Sequence, residues 1–487
     1  MHPDPKTNPD GAPVPEKIEE MRRLPRRRLL RWALLGLVPA GVGGGWGVSR
    51  WLRKRREPEM TEWEFHAREE EFGEEPPDDG PAEPREDNEE WAATLIQEAG
   101  LLCQLGHPDG GVKVDLAVRA APAYAPARLM RACEFMNEGR WDLAREELAT
   151  PGLRETPEAR LLSQLADRVS RGNGWWPAFF ESWTALDAPD FRESPLLPPP
   201  LGIYVMSFDP SLWDRTPEKH REERRWHMAL LYPVLAQEHL TWMVERVRAS
   251  TSLPLLLALH GQLLPLDEQE PPRPSLLPVV EARLRQLVGD TPPTLQLALL
   301  SLLAGRPPSA PLERADLEAL EKHVVLPEWK QPSSEQLFLE LSALYEGWLR
   351  APRHHAWLLA SRAQAAPLGE LLRRRALASR ERLTEDERHG LGRLLWEVGA
   401  RLRAQRSHAE FDQGVRLQLL GSKLTGHPPS WEEATARWIR LGYWEQALAR
   451  AAVFRWPLAR LQEDTCAPRA HQELVWMEAF AARSAPP

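Results

Sequence analysis

An uncharged run of eighteen residues between two arginine clusters limits what this chain can fold into. The run extends from Trp32 to Ser49, and as a helix it would rise about 27 Å, close to the roughly 30 Å hydrocarbon core of a bilayer. Tryptophans stand near both of its ends, as in the aromatic belts of membrane helices. Six glycines and Pro39 make the run only weakly hydrophobic, so an export signal and a glycine-rich surface segment remain alternatives. We predict a transmembrane anchor over residues 29–52.

The charges that flank this segment bear on its orientation. Six arginines precede it between Arg22 and Arg31, and five basic residues follow it between Arg50 and Arg56. The positive-inside rule therefore scarcely distinguishes the two orientations. Residues 26–31 resemble a loose twin-arginine export signal, but no Ala-x-Ala cleavage site follows, so such a signal would remain as an anchor. The sequence narrowly favours a single-pass protein with its main body on the extracytoplasmic side, and the cytoplasmic side is the alternative.

Four glycines of the segment form two small-x-x-x-small pairs, Gly41 with Gly45 and Gly43 with Gly47. Such pairs let membrane helices approach closely, which predicts self-association through the glycine-rich helix, although mere spacer glycines would look the same. A dinucleotide-binding turn does not fit, because Trp46 replaces the third glycine of that fingerprint and only arginines follow.

Charge is distributed unevenly along the chain. It carries 62 Lys and Arg and 71 Asp and Glu; residues 1–90 hold 15 and 21 of these, which leaves 47 and 50 for the remainder. This nearly neutral body gives no general case for nucleic-acid binding. Residues 1–28 are predicted to be a disordered basic tail. Residues 53–90 are predicted to be an extended acidic linker because their like charges repel, and an interaction tail is the alternative.

Cysteines and prolines bound the organisation of the body. Cys103, Cys133 and Cys466 have neither a metal-binding spacing nor an even number for disulfides, so they are predicted to be buried free thiols. No cofactor and no metal are predicted. Prolines cluster between helical stretches and divide the body into an N-terminal region over 91–200, a central region over 201–325 and a C-terminal region over 326–487.

The stretch 123–148 has the pattern of two short helices joined by a tight turn. Ala132 and Phe135 occupy a small and an aromatic position of the first helix, residues 139–144 (Gly-Arg-Trp-Asp-Leu-Ala) form the turn and begin the second helix, and Leu148 takes a bulky position there. This pattern resembles a tetratricopeptide repeat, a pair of antiparallel helices of about 34 residues. The resemblance implies an all-α array of stacked helical hairpins.

A second copy of the pattern is predicted near the C-terminus. Ser430 with Glu433 matches a capping box, Trp431 and Trp438 take the aromatic positions, and residues 442–447 (Gly-Tyr-Trp-Glu-Gln-Ala) repeat the turn. The usual large apolar residue, glycine and terminal proline of the repeat are replaced here. Trp141 and Trp444 are therefore expected to be the structural cores of two separate hairpins, one near each end of the array.

The chain between these hairpins is predicted to remain helical. Helix starts are indicated by Thr156 before Pro157, by Ser333 with Gln336 and by Thr384 with Glu387. Residues 201–208 are the one strand candidate, and a single strand does not make a sheet.

Candidate chemical sites are weak. His220, Glu223 and His227 fall on one helix face and could hold a metal with His239, but charged neighbours favour a solvated face. Residues 255–261 look like the strand and His-Gly of a hydrolase oxyanion loop, but no Gly-x-Ser-x-Gly elbow exists in the chain, so a helix is expected. His354–His355 has no Asp or Glu at a helical spacing that would place a carboxylate beside the pair.

Ten arginines between Arg373 and Arg406 form the main basic stretch of the body and could bind phosphates or an acidic partner. We predict no catalytic residues. The predicted function is that of a membrane-anchored scaffold or adaptor that binds a protein or peptide through helical repeats, with a hydrolase or metalloenzyme in the central region as the alternative.

Overall fold

The computed structural model describes residues 88–198, 218–231, 237–264, 272–289, 291–307, 309–330, 332–347, 349–364 and 368–484. Every regular element within these ranges is an α-helix, which confirms the all-α prediction. The helices, numbered here in chain order, are α1 (Glu89–Gln104), α2 (Pro108–Ala120), α3 (Ala125–Asn137), α4 (Trp141–Leu148), α5 (Pro157–Ser170), α6 (Trp175–Ala185), α7 (Glu218–Leu231), α8 (Gln237–Ala249), α9 (Leu253–Leu263), α10 (Arg273–Val288), α11 (Leu295–Leu303), α12 (Arg314–Val324), α13 (Ser334–Tyr345), α14 (Pro352–Gln364), α15 (Leu368–Ser379), α16 (Glu385–Arg403), α17 (His408–Thr425), α18 (Pro428–Ala451) and α19 (Ala459–Ser484).

Several predicted segments lie outside the described residues. These are the basic tail, the anchor at 29–52, the acidic linker up to residue 87 and the strand candidate at 201–208. Among the helices that the structure describes, none combines the length and the apolar character that a bilayer span requires. Helix α1 begins at Glu89, inside the range predicted for the linker, because two acidic residues in its first turn favour the helix dipole.

Three predicted helix starts are confirmed. Thr156 caps α5 by accepting a hydrogen bond from the amide of Ala159, 3.2 Å away, and Ser333 accepts from the amide of Gln336 at the start of α13. Thr384 forms the complete reciprocal capping box at the start of α16. In each case the side-chain oxygen satisfies an amide that has no partner within its own helix.

Helices α3 and α4 form the hairpin predicted over residues 123–148. Gly139 between them has φ +76°, a left-handed conformation that strains other residues. Ala132 of α3 and Ala144 of α4 are fully buried, and such small side chains let two backbones approach closely. The helical hairpin is therefore confirmed, and its relationship to a tetratricopeptide repeat stays a prediction.

The second predicted hairpin is wrong at its turn. Helix α18 runs without interruption through Gly442, and its N-cap is His427, not Ser430. Leu441, Trp444 and Leu448 are buried along one face across the predicted turn, so continuous packing outweighs the low helix propensity of glycine. Helix α18 instead packs against α17, which precedes it, and against α19, which follows it after a short loop.

One hydrophobic core joins the N-terminal hairpins to α18 and α19. The ring of Trp183 in α6 stacks on Phe480 in α19 with centroids 5.4 Å apart. Trp141 and Trp444 contact this same core, so the expectation that they anchor two separate hairpins is wrong. The cause is long-range contact between the two ends of the described chain, which local patterns do not report.

Arg455, in the loop between α18 and α19, adds a set of hydrogen bonds beside this core. Its guanidinium donates hydrogen bonds of 2.6–3.0 Å to main-chain carbonyls of the segment that follows α6: Phe191, Arg192, Ser194, Leu197 and Pro198. A guanidinium carries five N–H donors, and this arrangement uses them on a stretch that has no helix to satisfy its own carbonyls.

A larger core extends from α7 to α17, across the predicted boundary at 325/326, and also takes in Cys466 of α19. Its closest helix pair is α16 with α17. Gly392 lies opposite Gly421 and Gly399 opposite Gly414, and a Cβ placed on Gly399 would be 2.6 Å from the carbonyl oxygen of Gly414. The two glycines on each helix are seven residues apart, about two turns, so all four lie on the contact surface.

Candidate functional site

A polar cleft lies where α13, α14 and α19 meet the turn between α16 and α17. Its volume of about 330 Å³ is at the lower end of the range for ligand pockets. Its walls carry both signs of charge and two aromatic rings; the lining residues are Ser333, Ser334, Glu335, Phe338, Trp357, Ala360, Ser361, Ala404, Gln405, Arg406, Ser407, Arg469, Ala470, His471 and Glu473.

Arg469 of α19 forms a rigid part of the wall. Its guanidinium carbon lies 3.5 Å from the ring centroid of Trp357 and 4.4 Å from that of Phe454. Its Nη2 donates to Oε1 of Glu473 at 3.0 Å, and only 6% of the Arg469 side chain is exposed. A charge this buried persists only when it is paired and hydrogen-bonded, so Arg469 shapes the cleft and is already committed to Glu473.

Helix α19 is interrupted beside the cleft. Gln472 has φ −151° and ψ 73°, which is not helical. Two residues later, the amide of Leu474 donates to the carbonyl oxygen of Arg406 on the α16–α17 turn, 3.4 Å away. The interruption therefore brings main-chain groups of α19 to the mouth of the cleft and ties them to the opposite wall.

Two further contacts fix the walls relative to each other. His471 Nδ1 lies 2.7 Å from Oε1 of Glu335 at the start of α13. The amide of His408 donates to Oε2 of Glu473 at 2.9 Å, which links α17 to α19. With these bonds and the contact of Arg469 with Trp357 of α14, each helix that lines the cleft is joined to α19, so the cleft is preformed.

A buried carboxylate stabilises the region behind the cleft. Glu410 is fully buried and accepts hydrogen bonds from Trp329 Nε1 at 2.9 Å, Lys330 Nζ at 2.7 Å and Ser407 Oγ at 2.6 Å. Burial lowers the pKa of Lys330, and the charge of Glu410 opposes that shift. Lys330 also donates to Ser334 Oγ at 2.9 Å, so the network reaches the cleft surface.

The hydroxyl groups of the cleft are used in structural hydrogen bonds. Ser333 accepts from a main-chain amide, Ser361 donates to a main-chain carbonyl and Ser407 donates to Glu410. A nucleophilic serine needs a base within hydrogen-bonding reach, and His471 is bonded to Glu335 instead. Among the described residues no group of three or more His, Cys, Asp or Glu is placed to hold a metal ion. The arrangement is suited to binding by charge and hydrogen bonding.

The central histidine set predicted as an alternative metal site is not assembled by its described members. Glu223 is exposed, whereas His227 is buried with Nδ1 2.7 Å from the Tyr345 hydroxyl. Burial lowers the pKa of His227 to about 4, so it is neutral near pH 7. The side chains of His220 and His239 lie outside the described part of the chain.

Residues 255–261 belong to helix α9, as expected, and the helix continues to Leu263. His260 is buried, with Nε2 3.5 Å from Oε1 of Glu281 in α10. These residues therefore pack two helices together and do not form an oxyanion loop.

His354 and His355 are buried at the junction of α14 with α1 and α19. The amide of His354 donates to Glu463 of α19 at 2.7 Å, and its Nδ1 lies 3.2 Å from the carbonyl oxygen of Gln104 in α1. Burial lowers the pKa of His354 to about 3 and that of His355 to about 4. Both are neutral packing residues at physiological pH.

The ten arginines from Arg373 to Arg406 do not share one environment. Arg373 and Arg374 pair with Glu370, and Arg375 is fully buried and donates to main-chain carbonyls of α11 and the segment after it. Arg406 is exposed and lines the cleft. The basic stretch is thus divided among structural pairs, a buried position and the cleft.

The three cysteines are free and buried, as predicted. Burial raises the pKa of each thiol, and nearby carboxylates add to the effect at Cys103 and Cys133. A thiol with a raised pKa is a poor nucleophile and a poor metal ligand at neutral pH.

Comparison with protein-family models, with curated proteins and with solved structures gives no match to this chain.

Most of the cleft is not predicted from the sequence, although two signals for it exist. Ser407 with Glu410 has the spacing of a capping box, and Ser407 does cap α17. Pro468 stands within the apolar pattern of α19, four residues before the interruption at Gln472. Neither signal reports that α13, α14 and α19 meet at this point.

Proposed function

We propose that this chain is a non-catalytic, membrane-anchored adaptor that holds a protein or peptide partner against its helical body. The single observation that carries the proposal is the preformed cleft, in which both signs of charge and two aromatic rings surround a space of about 330 Å³. Its hydroxyl groups are already engaged in structural hydrogen bonds. A short extended segment offers the main-chain groups and mixed side chains that such a surface binds.

Preformed walls lower the cost of binding. Arg469 and Glu473 are paired before any ligand arrives, so few side chains lose freedom when the cleft is filled. Arg406 is exposed at the rim, and no hydrogen bond of its guanidinium to another described residue is found. We therefore assign Arg406 the contact with an acidic side chain or a main-chain carbonyl of the partner.

The membrane part of the proposal depends on the uncharged run at 29–52 and its arginine flanks. In this proposal the segment is a single-pass anchor, the body lies by preference on the extracytoplasmic side, and the glycine pairs permit self-association. The test is fractionation of the full-length protein: it should sediment with membranes and resist alkaline extraction. Recovery in the supernatant would contradict the anchor.

Site-specific crosslinking tests the cleft in the full-length protein. A photoreactive residue at Ala404, which is exposed and lines the cleft, should capture a partner that the same group at Leu377, exposed on α15, does not capture. Arg406→Glu should abolish this crosslink. Arg380→Glu, at an exposed arginine outside the cleft, is the matched control and should leave it unchanged. Equal capture from both positions, or a crosslink that survives Arg406→Glu, would contradict binding in the cleft.

Metal content separates this proposal from a metalloenzyme of the central region. Stoichiometric zinc or iron in the full-length protein, purified without added metal, would contradict the non-catalytic assignment.

A further inference from the structure

Helix α18 carries large apolar side chains on two faces. One face packs into the core shared with the N-terminal hairpins. The other leaves Trp431 45% and Trp438 37% exposed, and Ile439 is exposed beside it. Apolar side chains that are exposed next to one another, rather than singly, are a feature of interaction sites.

The exposed face has the spacing of a helix–helix seam. Trp431, Thr435, Trp438 and Gly442 follow one another at intervals of four, three and four residues, so they lie in one line along the helix. Large and small residues alternate along this line. A Cβ built on Gly442 meets nothing within 4 Å, so the space above this glycine is open.

We propose that this seam binds the same seam of a second copy of the chain, with the two α18 helices antiparallel about a two-fold axis. The axis crosses each helix midway between Thr435 and Trp438. Residues equally distant from it then oppose one another, which places Trp431 over Gly442 of the second copy and Thr435 against Trp438 of the second copy. In an isologous interface every such contact occurs twice.

Size complementarity selects a second copy in this orientation. In the antiparallel pair, each tryptophan of one copy packs against Thr435 or Gly442 of the other copy, so a large side chain always meets a small one, as close packing requires. A parallel pair would set indole against indole and leave Gly442 facing Gly442. The four seam positions carry no charge, so they contain nothing that a charged partner would recognise.

The exposed area sets the expected strength. A covered tryptophan buries roughly 200 Å², so the exposed parts of Trp431 and Trp438 amount to roughly 160 Å² in each copy. A standard interface buries about 800 Å² per partner, so the seam and its edges support a weak, concentration-dependent dimer. Such a dimer would present two clefts, and a partner that carries two binding segments would gain avidity.

Light scattering in detergent micelles tests the dimer, using full-length protein in which Gly41, Gly43, Gly45 and Gly47 are replaced by leucine so that association through the predicted membrane segment does not contribute. This protein, with its seam intact, should associate as its concentration rises. Gly442→Glu has room in the single chain, because nothing lies within 4 Å of an added Cβ. It should raise the apparent dimer Kd by about tenfold or more, because the added side chain occupies the site of the opposing indole. The matched control is Ala436→Glu, exposed on the same helix but off the seam, and its Kd should match that of the protein with the intact seam. A protein that is monomeric at every concentration, or a dimer that survives Gly442→Glu, would overturn the proposal.

Cysteine crosslinking tests the orientation. All three native cysteines are buried, so a new surface cysteine reports without interference. A mixture of the Trp431→Cys and Gly442→Cys proteins should form a mixed disulfide. Gly442→Cys alone should not crosslink, because the two copies of position 442 would lie about 16 Å apart along the helices. A disulfide formed by Gly442→Cys alone would mean parallel pairing and would overturn the proposed symmetry.

Discussion

Two glycines of α16 differ in the space around them: one lies in the contact with α17 and the other does not. Gly399 faces Gly414 across the contact, and an added Cβ would lie 2.6 Å from the carbonyl oxygen of Gly414 and 2.7 Å from Cγ of Gln418. Gly390, nine residues earlier in α16, has nothing within 4 Å of the same position. Replacing each by alanine therefore separates helix propensity from packing within one helix.

The magnitudes follow from these distances. Alanine is favoured over glycine in a helix interior by about 0.8–1 kcal/mol, so Gly390→Ala should stabilise α16 by about that amount. Gly399→Ala gains the same term but must push one backbone away from the other, and overpacking typically costs about 1–3 kcal/mol. We expect a net loss of about 0–2 kcal/mol for Gly399→Ala, and a difference of about 1–3 kcal/mol between the two variants, which equals the overpacking cost.

Amide hydrogen exchange within α16 and α17 is the appropriate assay, because a chain with several cores does not unfold in a single two-state step. Exchange of these amides should accelerate in Gly399→Ala and slow in Gly390→Ala. Exchange in α3 and α4, which belong to another core, should stay unchanged in both. Equal shifts of the same sign in α16 and α17 would refute the argument, since propensity alone would then explain both variants.

Two further predictions concern buried charges. Glu410→Gln leaves the buried ammonium group of Lys330 without its counter-charge and should cost about 3–5 kcal/mol of unfolding free energy, while the double variant with Lys330→Met should cost less than the sum of the single changes; a double-mutant cycle with no coupling would contradict this. Burial alone would lower the pKa of His408, but the bond to Glu445 and nearby carboxylates outweigh it, so its folded-state pKa is raised. The stabilisation from His408 should therefore be complete below its unfolded pKa, about 6.5, and disappear as pH rises through the folded pKa. Urea titrations from pH 5.5 to 8.5 should show the difference between the wild type and His408→Gln shrinking as pH rises, and a growing difference would contradict the sign.

Local signals determined much of the secondary structure. Polar residues before apolar stripes predict the starts of α5, α13 and α16, because a cap satisfies an amide within three residues of itself. The turn at Gly139 follows equally from its neighbours, since a left-handed backbone favours glycine. All-α architecture and buried thiols follow from periodicity and cysteine spacing in the same way.

The wrong prediction of a turn at Gly442 shows that local sequence patterns do not determine every helix end. A glycine followed two residues later by a tryptophan has the pattern of a hairpin turn at both Gly139 and Gly442, but only Gly139 adopts a left-handed conformation. At Gly442 the buried stripe of α18 continues on both sides, and the helix packs against α17 and α19. The difference lies in what each helix packs against.

The sequence by itself determined which stretches become helices, because caps, turns and apolar stripes act over a few residues. Only the tertiary structure decided that α6 packs against α19, that glycines 392, 399, 414 and 421 face one another, and that Glu335, Arg406 and His471 line one cleft. These contacts join residues from tens to hundreds of positions apart, and their energy comes from buried area and paired charges that exist only once the helices have packed.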